Sequence, residues 1–340
     1  MAESRTMRLL NTIFLVLGLG LFVVLVWQLD PKDVWQRLVS IGWFLLASFG
    51  FHALALAVSA RAWQHVIHKE KSTASYWNLF NAFWFGHVIN FLTPASTLGE
   101  VSRFSILKGK VEDHELVASL ISYNFFTFVS AQLFAILGPI LALMFLALPT
   151  GILWSVLGLA VIMLIPTAVL FVVLRMGAIS RLAMLVGKIP FIKKYRQTLS
   201  DKSVRIDQAI RDFTTRPKEF RNAVLWMFVA RLIDIMEVWM LLTVLMPAVK
   251  RPFFLLILAF VTQTTTQLIN WIVSIVPGRI GITEGGLTLL FKLLKLDPIA
   301  GFSMEVIRRL RMLLTVAVGL VLGFFLLHPK KDTRHIEDRS

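Results

Sequence analysis

Uncharged apolar runs of about twenty residues recur along this chain, and no other feature narrows its fold so far. Leu9–Leu29 and Leu116–Leu148 contain no Asp, Glu, Lys or Arg. A helix of about 20 apolar residues is long enough to cross the hydrocarbon core of a bilayer. The composition agrees, at 57% hydrophobic and only 16% charged, where a soluble domain carries about 25% charged residues. A membrane β-barrel would show short segments of alternating hydrophobicity instead. The expected fold is all-α: a polytopic integral membrane helical bundle with about eight long hydrophobic segments.

The charge distribution says which partners to expect. A formal net charge of +15 invites a nucleic-acid reading. The Lys and Arg residues concentrate between the apolar runs, however, which is how a membrane protein records its orientation. Absence of cysteine excludes disulfides and thiolate metal sites. Arg5 and Arg8 precede the first run, which is too long for a signal-peptide core and lacks a small-residue cleavage site; it reads as a retained helix. Arg175 to Arg221 holds twelve Lys or Arg against four Asp or Glu, with Leu199, Ile206, Ile210 and Phe213 at helical spacing. It reads either as a solvated connector or as an amphipathic helix on an anionic leaflet, cytoplasmic in both cases.

The pattern predicts spans at Leu9–Gln28, Ile41–Ala60, Trp77–Thr93, Leu116–Leu148 and Ile152–Leu174. After the basic connector come Ala223–Met246, Phe253–Val276 and a last span near Val306–Leu327. Residues 1–340 form one membrane domain, with a first half 1–174, the connector 175–221, a second half 222–328 and a short tail 329–340.

Two segments break the apolar pattern. In "NFLTPASTLGEVSRF" (90–104) a helix with Asn90 stops at Pro94, and Gly99, Glu100 and Arg103 begin a short helix, Thr97–Leu107. In "NWIVSIVPGRIGITEGGLTLL" (270–290) Asn270 precedes Pro277, Gly278 and Arg279, then Gly281, Glu284 and Gly285. The breaks define elements at 77–108 and 253–296, a weak inverted repeat of re-entrant type. Breaking a helix at membrane depth frees backbone groups, which is tolerable only inside protein or beside a water-filled cavity. Paired Gly/Pro-interrupted segments in two halves point to a transporter's binding site. A restarting helix aims its N-terminal amides at an anion.

Pro94, Gly99, Glu100 and Arg103, taken with "PGRIGITEGGL", resemble the paired signatures of the lysylphosphatidylglycerol synthase transmembrane, or flippase-like, family. Glu100 stands where Asp is often found, and Arg279 replaces the second Gly of the later signature. The resemblance covers nearly the whole chain. It implies a multi-span bundle with re-entrant helices that binds or translocates anionic or carrier-linked lipids. The full synthases add a soluble aminoacyl-transferase domain; this sequence stops at Ser340, after its last span, so the synthase reaction is not expected of it.

Ionisable residues inside the spans are the remaining candidates. Arg231, Asp234 and Glu237 share one helical face, and charges at that depth face the bundle interior. A paired Arg–Asp network is expected there, serving either helix packing or a gate. Glu305, Arg308, Arg309 and Arg311 begin the final span. Glu305 can pair with Arg308 or Arg309, which leaves an Arg either to anchor at the headgroups or to meet phosphate oxygens. His87 and Asn90 share a face, in a helix-packing hydrogen bond rather than a metal site. No zinc spacing, nucleotide loop or nucleophile elbow occurs, so no metal, cofactor or catalytic residue is expected.

The expected partner is a lipid with an anionic headgroup or a polyprenyl-phosphate carrier, and a homo-oligomer is left open. The expected location is the plasma (bacterial inner) membrane, with cytoplasmic termini. The rival function is a non-transporting scaffold or accessory subunit for a lipid-modifying enzyme.

Overall fold

The computed structural model describes residues 31–93, 98–146, 196–272 and 281–327, with isolated helical positions at 27 and between 154 and 172. Pro94, Pro277, Gly278 and Arg279 lie outside the described residues, as do all but residue 27 of the expected span Leu9–Gln28 and most of Ile152–Leu174. The described chain is all helix: α1 (Pro31–Ile41), α2 (Phe44–Val66), α3 (Tyr76–Leu92), α4 (Leu98–Leu107), α5 (Asp113–Phe145), α6 (Arg196–Thr215), α7 (Pro217–Leu245), α8 (Pro252–Ile272), α9 (Ile282–Leu293) and α10 (Pro298–Leu327). A 3-10 turn, Lys69–Lys71, joins α2 to α3.

Local chemistry accounts for several boundaries. Ser75 caps α3, its hydroxyl accepting from the Asn78 N–H at 3.3 Å, because first-turn amides lack an intrahelical partner. Pro217 opens α7, where its missing N–H costs nothing. The span expected at Ile41–Ala60 begins at Phe44 and runs on through Arg61 to Val66. Gly138 and Pro139 lie inside a single helix, α5, as expected. Among the described helices α2, α5 and α8 are long and apolar enough to cross a membrane by themselves. α7 and α10 match them in length but carry the charged residues of the interior.

Helix α2 lies antiparallel to α7. Ser48 near its start meets Glu237 late in α7, and the Val66 carbonyl at its end accepts from Arg216 Nη2 at 3.3 Å. Helix α5 runs antiparallel to α8 through the ring pairs Phe128–Trp271, Phe134–Phe260 and Phe145–Phe253. α10 packs against α9, α2 and α3. At one end of the bundle the two loops flanking the α3–α4 hairpin bind each other: the Thr73 N–H donates to the Lys110 carbonyl at 2.8 Å and the Glu112 N–H to the Lys71 carbonyl at 3.2 Å. α6 docks at this end, with Ile210 and Phe213 buried and Ile206 packed toward Ala118, Ile121 and Phe125 of α5.

Bilayer helices gain little hydrophobic energy from one another, so close approach of small residues drives their packing. α3 and α4 touch at Gly86 and Gly99, where a Cβ on Gly99 would collide with the Gly86 carbonyl and the Asn90 side chain. Gly50 on α2, by contrast, has open space around its missing Cβ. Gly99→Ala should therefore destabilise the protein by about 1–3 kcal/mol through overpacking, whereas Gly50→Ala should be neutral or stabilising by up to about 1 kcal/mol from helix propensity alone. Thermal unfolding of the two variants in the same detergent measures the opposite signs.

Candidate functional site

The first broken element closes on itself. α4 folds back on α3, and its first turn is capped from α3: the Gly99 N–H donates to Asn90 Oδ1 at 2.7 Å. Asn90 is thus committed to Gly99, and the packing bond expected between Asn90 and His87 is replaced by this cap. Arg103 Nη1 donates to both carboxylate oxygens of Glu100, at 3.1 and 3.2 Å. Its guanidinium carbon also lies over the Phe83 ring, 4.1 Å from the centroid, a cation–π contact.

At the second break the chain resumes at Gly281, whose φ of 81° is a left-handed conformation that glycine adopts without steric cost. Glu284 reaches back to accept the Gly281 N–H at 2.9 Å, capping α9. Glu284 is 0% exposed, and its cation comes from a distant helix: Arg309 of α10 donates through Nε to one carboxylate oxygen and through Nη2 to the other. Arg279, expected beside Glu284, lies outside the described residues. Asn270 is half-buried on α8, and Gly285 sits in the first turn of α9, its N–H donating to the Gly281 carbonyl at 2.9 Å.

Apart from Arg308 with Glu305, the charges of α7 and α10 join partners other than those their spacing suggests. Glu237, also 0% exposed, accepts from Arg311 Nη1 and from the Ser48 hydroxyl at 2.5 Å. Arg231 donates to Gln267 at 3.3 Å and to the Thr127 carbonyl at 3.5 Å. The local Arg–Asp pairing expected within α7 is thus superseded by bonds between helices. Arg308 donates to Glu305 at 2.8 Å and to Gln263 at 2.9 Å.

The headgroup anchor expected of Arg308, Arg309 and Arg311 is corrected on the same grounds. α10 begins at Pro298, so the three arginines lie three turns inside it and are spent on interior carboxylates. Glu305, Glu284 and Glu237 each hold one of the three. Sequence reasoning passed over Ser48, His52, Gln263 and Gln267. Their only signal was polarity within apolar runs, and Gln263 and Gln267, four residues apart, share a helix face.

His52 of α2 and His87 of α3 sit with ring centroids 5.2 Å apart, linking the first element to the helices that hold Glu237. α10 in turn holds Glu237 through Arg311 and Glu284 through Arg309. Gln263, Gln267 and Arg231 also line a small cavity with Phe134, Ile235 and Ala131 between α5, α7 and α8.

A buried ion pair is strongly destabilising to break but close to neutral to replace whole. Arg311→Met should cost about 3–5 kcal/mol by stranding Glu237. Adding Glu237→Met should recover most of that loss in chemical-denaturant unfolding of the detergent-solubilised protein.

Comparison with curated proteins and with solved structures gives no match. The model of one family, described as the lysylphosphatidylglycerol synthase TM region, matches residues 12–328. Its span takes in both broken elements and the whole charge network, and with the apolar helices it establishes an integral membrane protein. The chain belongs to the family of the lysylphosphatidylglycerol synthase TM region.

Proposed function

We propose that the protein binds a lipid with an anionic or polyprenyl-phosphate-type headgroup and carries that headgroup through the bundle between the two broken elements, the tails remaining in the bilayer. The observation that carries this reading is that each break restarts in a short helix bearing a carboxylate neutralised by an interior arginine, Glu100 by Arg103 and Glu284 by Arg309. Charged groups at membrane depth are costly and mark pathways for polar cargo. The reading gives the protein no catalytic step of its own.

The helix order supports an inverted repeat. α2–α5 contain 23, 17, 10 and 33 residues, and α7–α10 contain 29, 21, 12 and 30. The leading helices α2 and α7 run antiparallel. The last helix of each half leans on the other half, α5 on α8 and α10 on α3. Such inversion underlies alternating access around a central site in many transporters.

Orientation follows from charge. Lys69, Lys71, Lys108, Lys110, Arg205, Arg211 and Lys218 gather at the end where the α3–α4 loops and α6 meet, and that end is assigned to the cytoplasm. α6 buries its apolar face on α5 and leaves Val204, Arg205, Gln208 and Arg211 exposed toward an anionic leaflet. The opposite end retains Lys250, Arg251, Lys292 and Lys295. The three arginines of α10 drop out of its count, because they are neutralised inside.

Proteoliposomes with tail-labelled phosphatidylglycerol test the proposal. The protein should speed exchange of the label between leaflets. Arg103→Ala and Glu284→Gln should each slow it about tenfold, the effect of roughly 1.4 kcal/mol on a barrier, with membrane insertion near normal. Exchange no faster than in empty vesicles, across anionic and polyprenyl-phosphate lipids, would refute transport. Exchange that the protein speeds but both variants leave unchanged would remove the two carboxylate–arginine pairs from the pathway.

A further inference from the structure

We infer that His52, His87, Arg103 and Arg311 form an internal subsite for a phosphate oxyanion, the chemistry shared by a lipid phosphodiester and free inorganic phosphate. The inference rests on the anionic-lipid reading above and names where the headgroup phosphate is held. The four side chains come from α2, α3, α4 and α10, and these helices pack as α2–α3, α3–α4, α2–α10 and α3–α10. Both halves of the chain therefore contribute.

Unmet hydrogen-bonding groups mark the place. Both ring nitrogens of His52, Nε2 of His87, and Nε of Arg103 and of Arg311 are buried without a partner. Buried polar groups in folded proteins are nearly always paired, so a cluster left unpaired calls for an explanation. Each arginine spends Nη1 on its glutamate, Arg103 on Glu100 and Arg311 on Glu237. What remains is the edge carrying Nε, the side of the guanidinium fork that grips an oxyanion in bidentate fashion.

Two facing imidazoles also suggest a metal, but the charges around them argue against one. Arg311, His87 and Arg308 lie close enough to bear electrostatically on His52, and Arg103 and Arg311 on His87. Among the described residues no group of three metal-ligating side chains exists. Each neutral imidazole keeps one acceptor nitrogen, but the guanidinium groups beside the rings disfavour a cation. A phosphate supplies the acceptors that these donors are missing.

The test uses the full chain in maltoside detergent, free of phosphate. The probes are phosphatidylglycerol, inorganic phosphate and, as a phosphate-free comparator, diacylglycerol. Binding is read by thermal shift and by the imidazole 15N resonances of histidine-labelled protein. Phosphatidylglycerol should raise the melting temperature and move two imidazole signals, and diacylglycerol should do neither. His52→Leu and His87→Phe should weaken phosphatidylglycerol binding about tenfold or more, the loss expected for about 1.4 kcal/mol. Because they remove unpaired polar groups, both should melt no lower than the parent when ligand is absent. If inorganic phosphate alone moves the same signals, and the variants abolish that too, the oxyanion subsite stands with a free anion as its source. If phosphatidylglycerol binds parent and variants equally and leaves the imidazoles unmoved, the subsite is refuted while lipid binding survives. If neither phosphate-bearing probe binds, the subsite and the lipid reading fall together.

Discussion

A carboxylate enclosed in low-dielectric surroundings must find a cation, and in this protein that requirement ties the bundle together. Glu237 and Glu284 are completely enclosed, and both are answered from α10, by Arg311 and Arg309. Residues two apart on a helix are separated by about 200° around its axis, so the arginines leave α10 on nearly opposite sides. One reaches α7 and, through the shared Glu237, Ser48 of α2; the other reaches α9. α10 thereby pins both leading helices and the second broken element to one register. A slip of α10 by a single residue would misdirect both cations.

Around this pin the bundle uses two kinds of contact suited to a lipid solvent. Small residues permit close backbone approach, as at Gly86 with Gly99 and where Gly138 admits Thr264 between α5 and α8. Amide side chains then bridge helices: Gln263 and Gln267 on α8 accept from Arg308 of α10 and Arg231 of α7. Interior polar contacts of this sort contribute modest net stability but define which helices are neighbours.

The two breaks solve their local problem differently. At the first, a neighbouring helix supplies the cap, Asn90 to the Gly99 amide, and the carboxylate of Glu100 stays half-buried. At the second, the restarting helix caps itself with Glu284, whose charge then has to be met from α10. The elements are alike in architecture but unequal in burial, so the two halves are chemically asymmetric.

Much of this was legible in the linear chain. Apolar runs separated by basic connectors specified a helical membrane protein, because bilayer thickness and backbone hydrogen bonding leave few alternatives. Proline and glycine marked where helices stop and restart, and the positions of Asn90, Gly99, Glu100, Gly281 and Glu284 at those restarts follow from local backbone chemistry. The pairing of charges was not legible. Spacing favoured neighbours on one helix: Arg231 with Asp234, and Arg308 or Arg309 with Glu305. Among the described residues, the Glu305–Arg308 and Glu100–Arg103 pairs follow that rule. Glu237 with Arg311, Glu284 with Arg309, and His52 beside His87 join residues 74, 25 and 35 positions apart, as differences of their numbers. Local sequence sets the helices and their ends because those depend on bonds within a few residues. Tertiary packing alone decides which buried charge meets which, because that depends on where whole helices come to rest.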